Sequence, residues 1–288
     1  ASYKLTDTWS ANFNTGIYYQ LPAYTVLGYA EDENNFINKA NNITYIQSNH
    51  LVGGLEYRPS NYLRFTLEGF YKTYNNYPFS IRDSVSLANL GADFGVIGDE
   101  PVTSTSNGRS YGIEFLAQQK LNKNFYGILS LTYVVSEFED KNGNYAASSW
   151  DNRTIISLTA GKKFKHDWEA GLKWRFSGGL PYTPYDVDYS SLIYVWDINR
   201  QGVLDFDQLN QKRLDPYHQL DIKKKKKWFF NKWNLDVYID IQNVYNNVTP
   251  LKPVLDVVRN AQGDPVVNPS DSGRYLPNYL DQSNGSVL

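Results

Sequence analysis

The sequence predicts an all-β protein of one kind, a transmembrane antiparallel up-and-down β-barrel. The first observation is an alternation of period two that recurs along most of the chain, about ten residues at a time. In residues 234–246, Leu235, Val237, Ile239 and Ile241 fall on one face of an extended strand. Asp236, Tyr238, Asp240 and Gln242 fall on the other. The second is the aromatic content, 16% of 288 residues with 24 Tyr and 7 Trp, gathered near strand ends as in the girdles of a barrel in lipid. The third is the spacing of connections. Short turns alternate with long loops, as they do between the periplasmic and outer rims of bacterial barrels. A soluble sandwich or propeller is the competing fold, but such folds rarely gather all their long loops at one end beside aromatic strand ends.

Nine strands follow in order. The first covers about 7–19, with Trp9, Ala11, Phe13, Ile17 and Tyr19 against Ser10, Asn12, Asn14 and Tyr18. A polar loop containing Asp32-Glu33-Asn34-Asn35 leads to strand 47–57, which turns at Arg58-Pro59-Ser60-Asn61. The third strand sets Leu63, Phe65, Leu67 and Tyr71 against Arg64, Thr66, Glu68 and Lys72. After a long loop at 75–108, strand 109–121 places Tyr111, Ile113, Phe115 and Ala117 outward, and Asn122-Lys123-Asn124 turns it into strand 125–138 with Leu129, Leu131, Tyr133 and Val135 outward. Past a loop holding Lys141-Asn142-Gly143-Asn144, strands 152–164 and 168–178 meet at Lys165-His166-Asp167. Strand 168–178 sets Trp168, Ala170, Leu172, Trp174 and Phe176 against Glu169, Lys173 and Arg175. A loop at 179–216 precedes strands 217–230 and 234–246, joined at Asn231-Lys232-Trp233, and 247–288 reads as loop.

Composition excludes several classes. No run approaches the ~18 apolar residues of a membrane-crossing helix, and mean hydropathy is −0.52. A barrel escapes that test because every second residue is polar. The net charge of −2 argues against nucleic acid as the main partner. There is no cysteine, hence no disulfide framework or thiol chemistry. The start, Ala1-Ser2-Tyr3-Lys4-Leu5, has no apolar signal region, so any signal peptide is expected upstream or removed.

Four segments resemble the C-terminal half of TonB-dependent outer-membrane receptors, in the version common in Bacteroidetes. They are Gly16-Ile17-Tyr18-Tyr19-Gln20-Leu21-Pro22, the stretch from Glu68-Gly69-Phe70-Tyr71 to Tyr77-Pro78, Ser177-Gly178-Gly179-Leu180-Pro181-Tyr182-Thr183-Pro184, and Trp228-Phe229-Phe230 leading into Tyr238-Ile239-Asp240-Ile241-Gln242-Asn243-Val244-Tyr245-Asn246. Gly108-Arg109-Ser110-Tyr111-Gly112-Ile113-Glu114 is similar to the family's mid-barrel strand start. The resemblance runs from about residue 5 to 250, and order and spacing carry it more than any single piece.

It implies active import of a scarce nutrient through a barrel of about 22 strands with a plugged lumen. On that view residues 1–288 are a partial barrel domain, without the plug, the first barrel half or the final strand. The chain ends at Ser286-Val287-Leu288 where the family continues into a last strand. The implied partners are the lipid bilayer, the receptor's own plug, TonB through an N-terminal region, and a surface lipoprotein; no cofactor is implied. A self-contained small outer-membrane barrel acting as an enzyme or adhesin is the alternative. Nine strands running up and down would leave the first and last parallel, so strands 7–19 and 234–246 are expected not to pair with each other.

Few residues bear chemistry. His50, His166 and His218 have no spacing that assembles a catalytic group, so no catalytic residue and no enzyme activity are expected. Asp197-Ile198-Asn199-Arg200-Gln201-Gly202-Val203-Leu204-Asp205 partly imitates a calcium loop, with Asp197, Asn199 and Asp205 as ligand positions. The bidentate Glu at position twelve is replaced by Gln208, so a polar turn is the better account and no metal is expected. Tyr182, Tyr185, Tyr189, Tyr194 and Trp196 on the same loop suit a sugar or peptide ligand, or interface anchoring. Inward charges at Arg64, Glu68, Glu114, Arg153, Glu169, Lys173 and Arg175 would line the lumen, touching plug or substrate or solvating the wall. Five consecutive lysines, Lys223–Lys227, depart from the family pattern. Alternation puts Lys224 and Lys226 on the lipid face, close enough to the periplasmic turn to snorkel as an interface-level basic band.

Overall fold

The computed structural model describes residues 1–32, 35–90 and 98–283. Glu33 and Asn34 of the first loop, residues 91–97 of the loop at 75–108, and the Ser286–Leu288 end lie outside them. The strands in chain order are β1 (Ser2–Lys4), β2 (Trp9–Gln20), β3 (Ile46–Ser60), β4 (Leu63–Ser80), β5 (Val102–Asn122), β6 (Phe125–Glu139), β7 (Tyr145–Ala147), β8 (Thr154–Lys163), β9 (Trp168–Ser177), β10 (Pro181–Tyr182), β11 (Lys212–Arg213), β12 (Tyr217–Phe229), β13 (Asn234–Ile241), β14 (Pro250–Val257), β15 (Val267–Asn268), β16 (Asp271–Tyr275) and β17 (Pro277–Ser283). One antiparallel sheet runs β1-β2-β3-β4-β5-β6-β8-β9-β12-β13, with β7 added to the upper end of β6. The nine long strands of this sheet are the nine that the alternation predicts. Among the described residues β13 pairs only with β12, and β2 lies between β1 and β3, so the first and last long strands do not pair with each other.

Residues directly opposite in an antiparallel pair share a face, so the register reads out both faces. Phe65, Ala117, Leu129, Leu158, Trp174 and Leu220 form one row across six strands, and Leu67, Phe115, Leu131, Ile156 and Phe176 form another. Of these and their neighbours, Leu67, Leu131, Tyr133, Val237 and Ile239 are 36–65% exposed, and Leu63, Phe65, Leu129 and Trp174 are half-exposed. An apolar sheet face left uncovered by protein needs lipid over it. The opposite face carries Thr66, Leu116, Ser130, Ser157, Arg175 and Gln219 in one row and Arg64, Gln118, Ile128, Thr159, Lys173 and Asp221 in another. There Arg64 Nε meets Glu56 at 2.7 Å and Arg175 Nη2 meets Asp221 at 3.4 Å. Among the described residues, no helix is long and apolar enough to cross a membrane.

The short connections form at one end. Lys123 and Asn124 have φ of 46° and 66°, the left-handed pair of a two-residue hairpin whose twist matches its strands. On the inner face the Tyr126 ring lies across Gly161, where a Cβ would collide with the ring, and its hydroxyl donates to Glu169 at 2.6 Å. That contact ties β6 to β8 and β9.

The structure corrects the sequence reading at the outer end. β4 runs on to Ser80 and β5 begins at Val102, so both enter the stretch expected to be loop. The 247–288 stretch holds two hairpins, β14 with β17 and β15 with β16, while β13 stops at Ile241. Short helices α1 (Tyr24–Leu27), α2 (Ile37–Ala40), α3 (Val187–Ser190) and α4 (Ile193–Asn199) lie in the loops. Above the bilayer no lipid demands alternation, so the period that marks the strands fades there. The buried apolar side chains are also at this end, including Val26, Leu87, Val102, Phe138, Trp196 and Leu255.

Candidate functional site

The outer loops are built, not loose. Val26 from α1 packs with Leu87 and Val102, so the first loop rests on the second. Asn38, fully buried, closes the contact. Its Nδ2 donates to Val26 O at 2.7 Å and Glu100 O at 2.9 Å, and its Oδ1 accepts from Val102 N at 2.8 Å. A buried amide with both N–H donors and its oxygen engaged fixes two loops with little freedom left. Ser80 Oγ donates to Glu100 Oε2 at 2.5 Å, and Arg82 reaches the same carboxylate at 3.5 Å. The Arg82 guanidinium is held above its ordinary pKa, first by its hydrogen bond to Asp83 and next by Glu100.

Three further residues join the remaining loops. Asn210 Nδ2 donates to Asn89 O at 2.8 Å and Ala147 O at 2.7 Å, while Asn89 Nδ2 donates to Ala147 O at 2.8 Å. Asp151, wholly buried, accepts from Arg213 Nη2 at 2.5 Å, Arg153 Nε at 2.9 Å and Ser136 N at 3.0 Å. Between these fastenings lies a polar cavity of about 450 Å³, walled by Asp83, Glu137, Asn144, Tyr145, Phe206 and Gln211 among others. Lys141 and Asp207, 3.5 Å apart, link two of its walls. The size is that of a small-molecule site, and its mixture of amides, paired charges and aromatics can hold a polar ligand by non-covalent contacts.

A second cluster surrounds Tyr185. Lys252 Nζ stands 4.3 Å from the centre of its ring, Tyr279 lies 6.5 Å from it, and Gly202 leaves the space the ring fills. Burial pulls the Lys252 amine down to about 8 and pushes the Tyr185 and Tyr279 phenols up. The ordinary lysine value is 10.5. Below pH 8 the amine is charged in folded and unfolded chain alike, and the burial penalty is fully present. Between about 8 and 10 the unfolded chain holds a proton that the folded chain lacks, so stability rises with pH. Amide exchange in β14 and β17, corrected for intrinsic rate, is therefore expected to slow from pH 7 to 9. Lys252→Met should slow it at pH 7 and flatten the trend. A trend unchanged by that substitution would mean that the buried amine is not its cause.

The sequence-predicted residues scatter. Tyr182 pairs with Lys212 in the β10–β11 ladder, Tyr185 belongs to the cluster above, and Tyr194 is 62% exposed on α4. Trp196 is 2% exposed and serves as loop core. Arg64, Glu68 and Arg175 stand on the inner sheet face at different heights, Arg64 beside a short turn and Arg175 two residues from the outer end of β9, and Glu68 lies directly opposite Glu114. Asp197 and Asn199 sit on α4, where Asp197 meets Arg200 at 3.4 Å and the Tyr275 hydroxyl at 3.3 Å, and Asn199 donates back to Val195 O at 2.9 Å. Asp205 caps the next turn through Asp207 N and Gln208 Nε2. These three do not converge, and among the described residues no three metal-binding side chains come together. His50 bonds Ser48 Oγ at 2.7 Å and His218 bonds the Tyr245 hydroxyl at 2.9 Å, on different strands. Asn38, Asn89, Asp151 and Asn210 carry no motif; nothing short of the loop contacts themselves singles them out.

Residues 1–244 match the family described as TonB dependent receptor-like, beta-barrel. The chain belongs to that family. It is an outer-membrane β-barrel protein. No curated relative matches it. Among solved structures it resembles the ferric-catecholate import receptor Fiu of E. coli K12, with 15% identity and a TM-score of 0.58 over 98% of this chain and 33% of that one. It also resembles the ferripyoverdine receptor of Pseudomonas aeruginosa, with 14% identity and a TM-score of 0.59 over 86% and 29%. The copper transporter OprC aligns with 16% identity and a TM-score of 0.57 over 86% and 33%. At these identities the likeness concerns the fold. The chain spans about a third of the length of the receptors it matches.

Proposed function

We propose that this chain forms barrel wall and extracellular ligand-capture loops of a TonB-coupled importer of a scarce nutrient. The observation that carries the proposal is the contrast between the ends of the sheet. One end closes in short turns, while the other bears loops with their own buried polar fastenings around a cavity open to small polar molecules. Membership of the receptor family and a match to about a third of each whole receptor support it. On this reading the segment corresponds to the C-terminal half of a Bacteroidetes-type barrel. A plug within the lumen, a TonB-contacting region, the remaining wall and a surface lipoprotein are its partners, and transport proceeds without covalent chemistry. Arg64, Glu68 and Arg175 then face plug or passing substrate, and Tyr182, Tyr185 and Tyr194 border the capture surface, with Trp196 supporting it from beneath.

Deleting residues 185–212 from the full receptor is expected to abolish ligand binding and uptake while leaving the barrel inserted. That segment supplies Phe206 and Gln211 to the cavity and Asn210 to its frame. Binding and transport at wild-type levels would rule the loop out as a capture element.

A further inference from the structure

The lysine run divides by face, and the two halves have different partners. Lys225 and Lys227 point to the lumen side, where both meet Asp236, at 3.3 and 3.7 Å, and Lys223 lies over the Tyr238 ring at 4.0 Å. Lys224 and Lys226 point the other way, opposite Ile239 and Val237. The register brings a third lysine to them. Phe125, Lys162, Ala170, Lys224 and Ile239 form one outward row, and Lys226 and Trp168 stand side by side in the next. Among the described residues no carboxylate comes within ion-pair distance of Lys162, Lys224 or Lys226. Their contacts are aromatic faces and one carbonyl. Lys224 Nζ is 4.7 Å and Lys226 Nζ 5.6 Å from the Trp168 ring, Lys162 Nζ is 5.6 Å from the Phe164 ring, and Lys226 also donates to His166 O in the short turn.

Three cations on a lipid-facing surface require an explanation. A lysine at the bilayer midplane destabilises a barrel by roughly 2–4 kcal/mol, falling to about 0–1 at the interface. These lie near the short-turn end, Lys162 one residue and Lys226 three residues before their strands finish. The snorkelling stems thus put their ammonium groups at headgroup depth among tryptophans. Lys162 and Lys224 flank the small Ala170 at two strand spacings, roughly 10 Å. That leaves a shallow cradle, open to lipid, positive, and floored by a methyl group. Its complement is a phosphate carried on acyl chains.

We propose that Lys162, Lys224 and Lys226, arranged around Trp168, bind the phosphate of an anionic phospholipid in the periplasm-facing leaflet. The lumen-side lysines are satisfied by protein; the outward three are satisfied by lipid. Each lysine near an anionic surface is worth roughly a fivefold change in occupancy.

The test is native mass spectrometry of the full receptor released from nanodiscs holding equal amounts of phosphatidylglycerol and phosphatidylcholine. Wild type is expected to retain phosphatidylglycerol preferentially. The triple variant K162Q/K224Q/K226Q should lose that preference by roughly tenfold or more. It removes charge from a lipid-facing surface and should insert normally, which heat-modifiability on a gel confirms. The lumen-side pair K225Q/K227Q should keep the preference. Equal retention of both lipids by wild type, an unchanged preference in the triple variant, or an equal loss in the lumen-side pair would each overturn the assignment.

Discussion

Replacing Arg213 by alanine is expected to loosen the outer loops by about 3 kcal/mol, the lower end of the range for breaking a buried ion pair. Asp151 is wholly buried, and Arg213 supplies the shorter of its two side-chain cation contacts. The same guanidinium also donates to the carbonyls of Asp151 and Gly179. Without it, a buried carboxylate keeps Arg153 as its one cation, beside the Ser136 N–H. The loss stays near the lower end because Arg153 remains 2.9 Å away. Removing both arginines should carry it to the upper end, about 5 kcal/mol. Limited proteolysis reads the effect directly, as new cleavage within 140–153 and 203–216 while the strands stay protected. Cleavage indistinguishable from wild type would mean that the loops are held elsewhere.

The second large effect concerns the sheet itself. Leu131 stands in the middle of β6 on the uncovered apolar face, 36% exposed on the side assigned to lipid. Leu131→Arg is expected to destabilise the barrel by about 2–4 kcal/mol in a denaturant titration of the full receptor folded into vesicles. Ser130→Arg, one residue away and facing the lumen row of Ser157 and Arg175, should change little. Because neighbours along a strand differ only in the face they present, the pair isolates facing from everything else. Equal losses from both substitutions would contradict the two-faced wall.

Facing is also what the sequence exposes best. Leu235, Val237, Ile239 and Ile241 can be assigned to lipid without coordinates because the membrane enforces the alternation at every second residue. The turn at Lys123-Asn124 is legible for a similar reason, since few residues tolerate two successive left-handed positions. The outer end is less legible. The extensions of β4 and β5, the hairpins after residue 250 and the short helices depend on contacts between loops far apart in sequence. Asn38 reaches Glu100, and Asn210 reaches Asn89. No local pattern encodes such pairs. The candidate aromatics show the same limit. Tyr194 and Trp196 lie two residues apart on one helix, yet one is 62% exposed and the other 2%. The contrast comes from what packs on α4.

The contact of Tyr126 with Gly161 bears on how the wall finds its alignment. Most proteins choose one strand register over another by the fit of a dense core. This sheet has none across its middle, and sliding one strand by two residues would return every apolar side chain to lipid and every polar one to the lumen. Polarity alone therefore leaves a ladder of near-equivalent alignments. A phenol ring that fits only over a missing Cβ, with its hydroxyl aimed at Glu169 on the strand beyond, acts as an index mark. Phe138 over Gly108, where a Cβ would likewise strike the ring, is a second such mark between β5 and β6. Two-residue slips would carry each ring onto a side chain, so a few glycines select one alignment from a repetitive set and thereby fix which outer loops stand close enough to join.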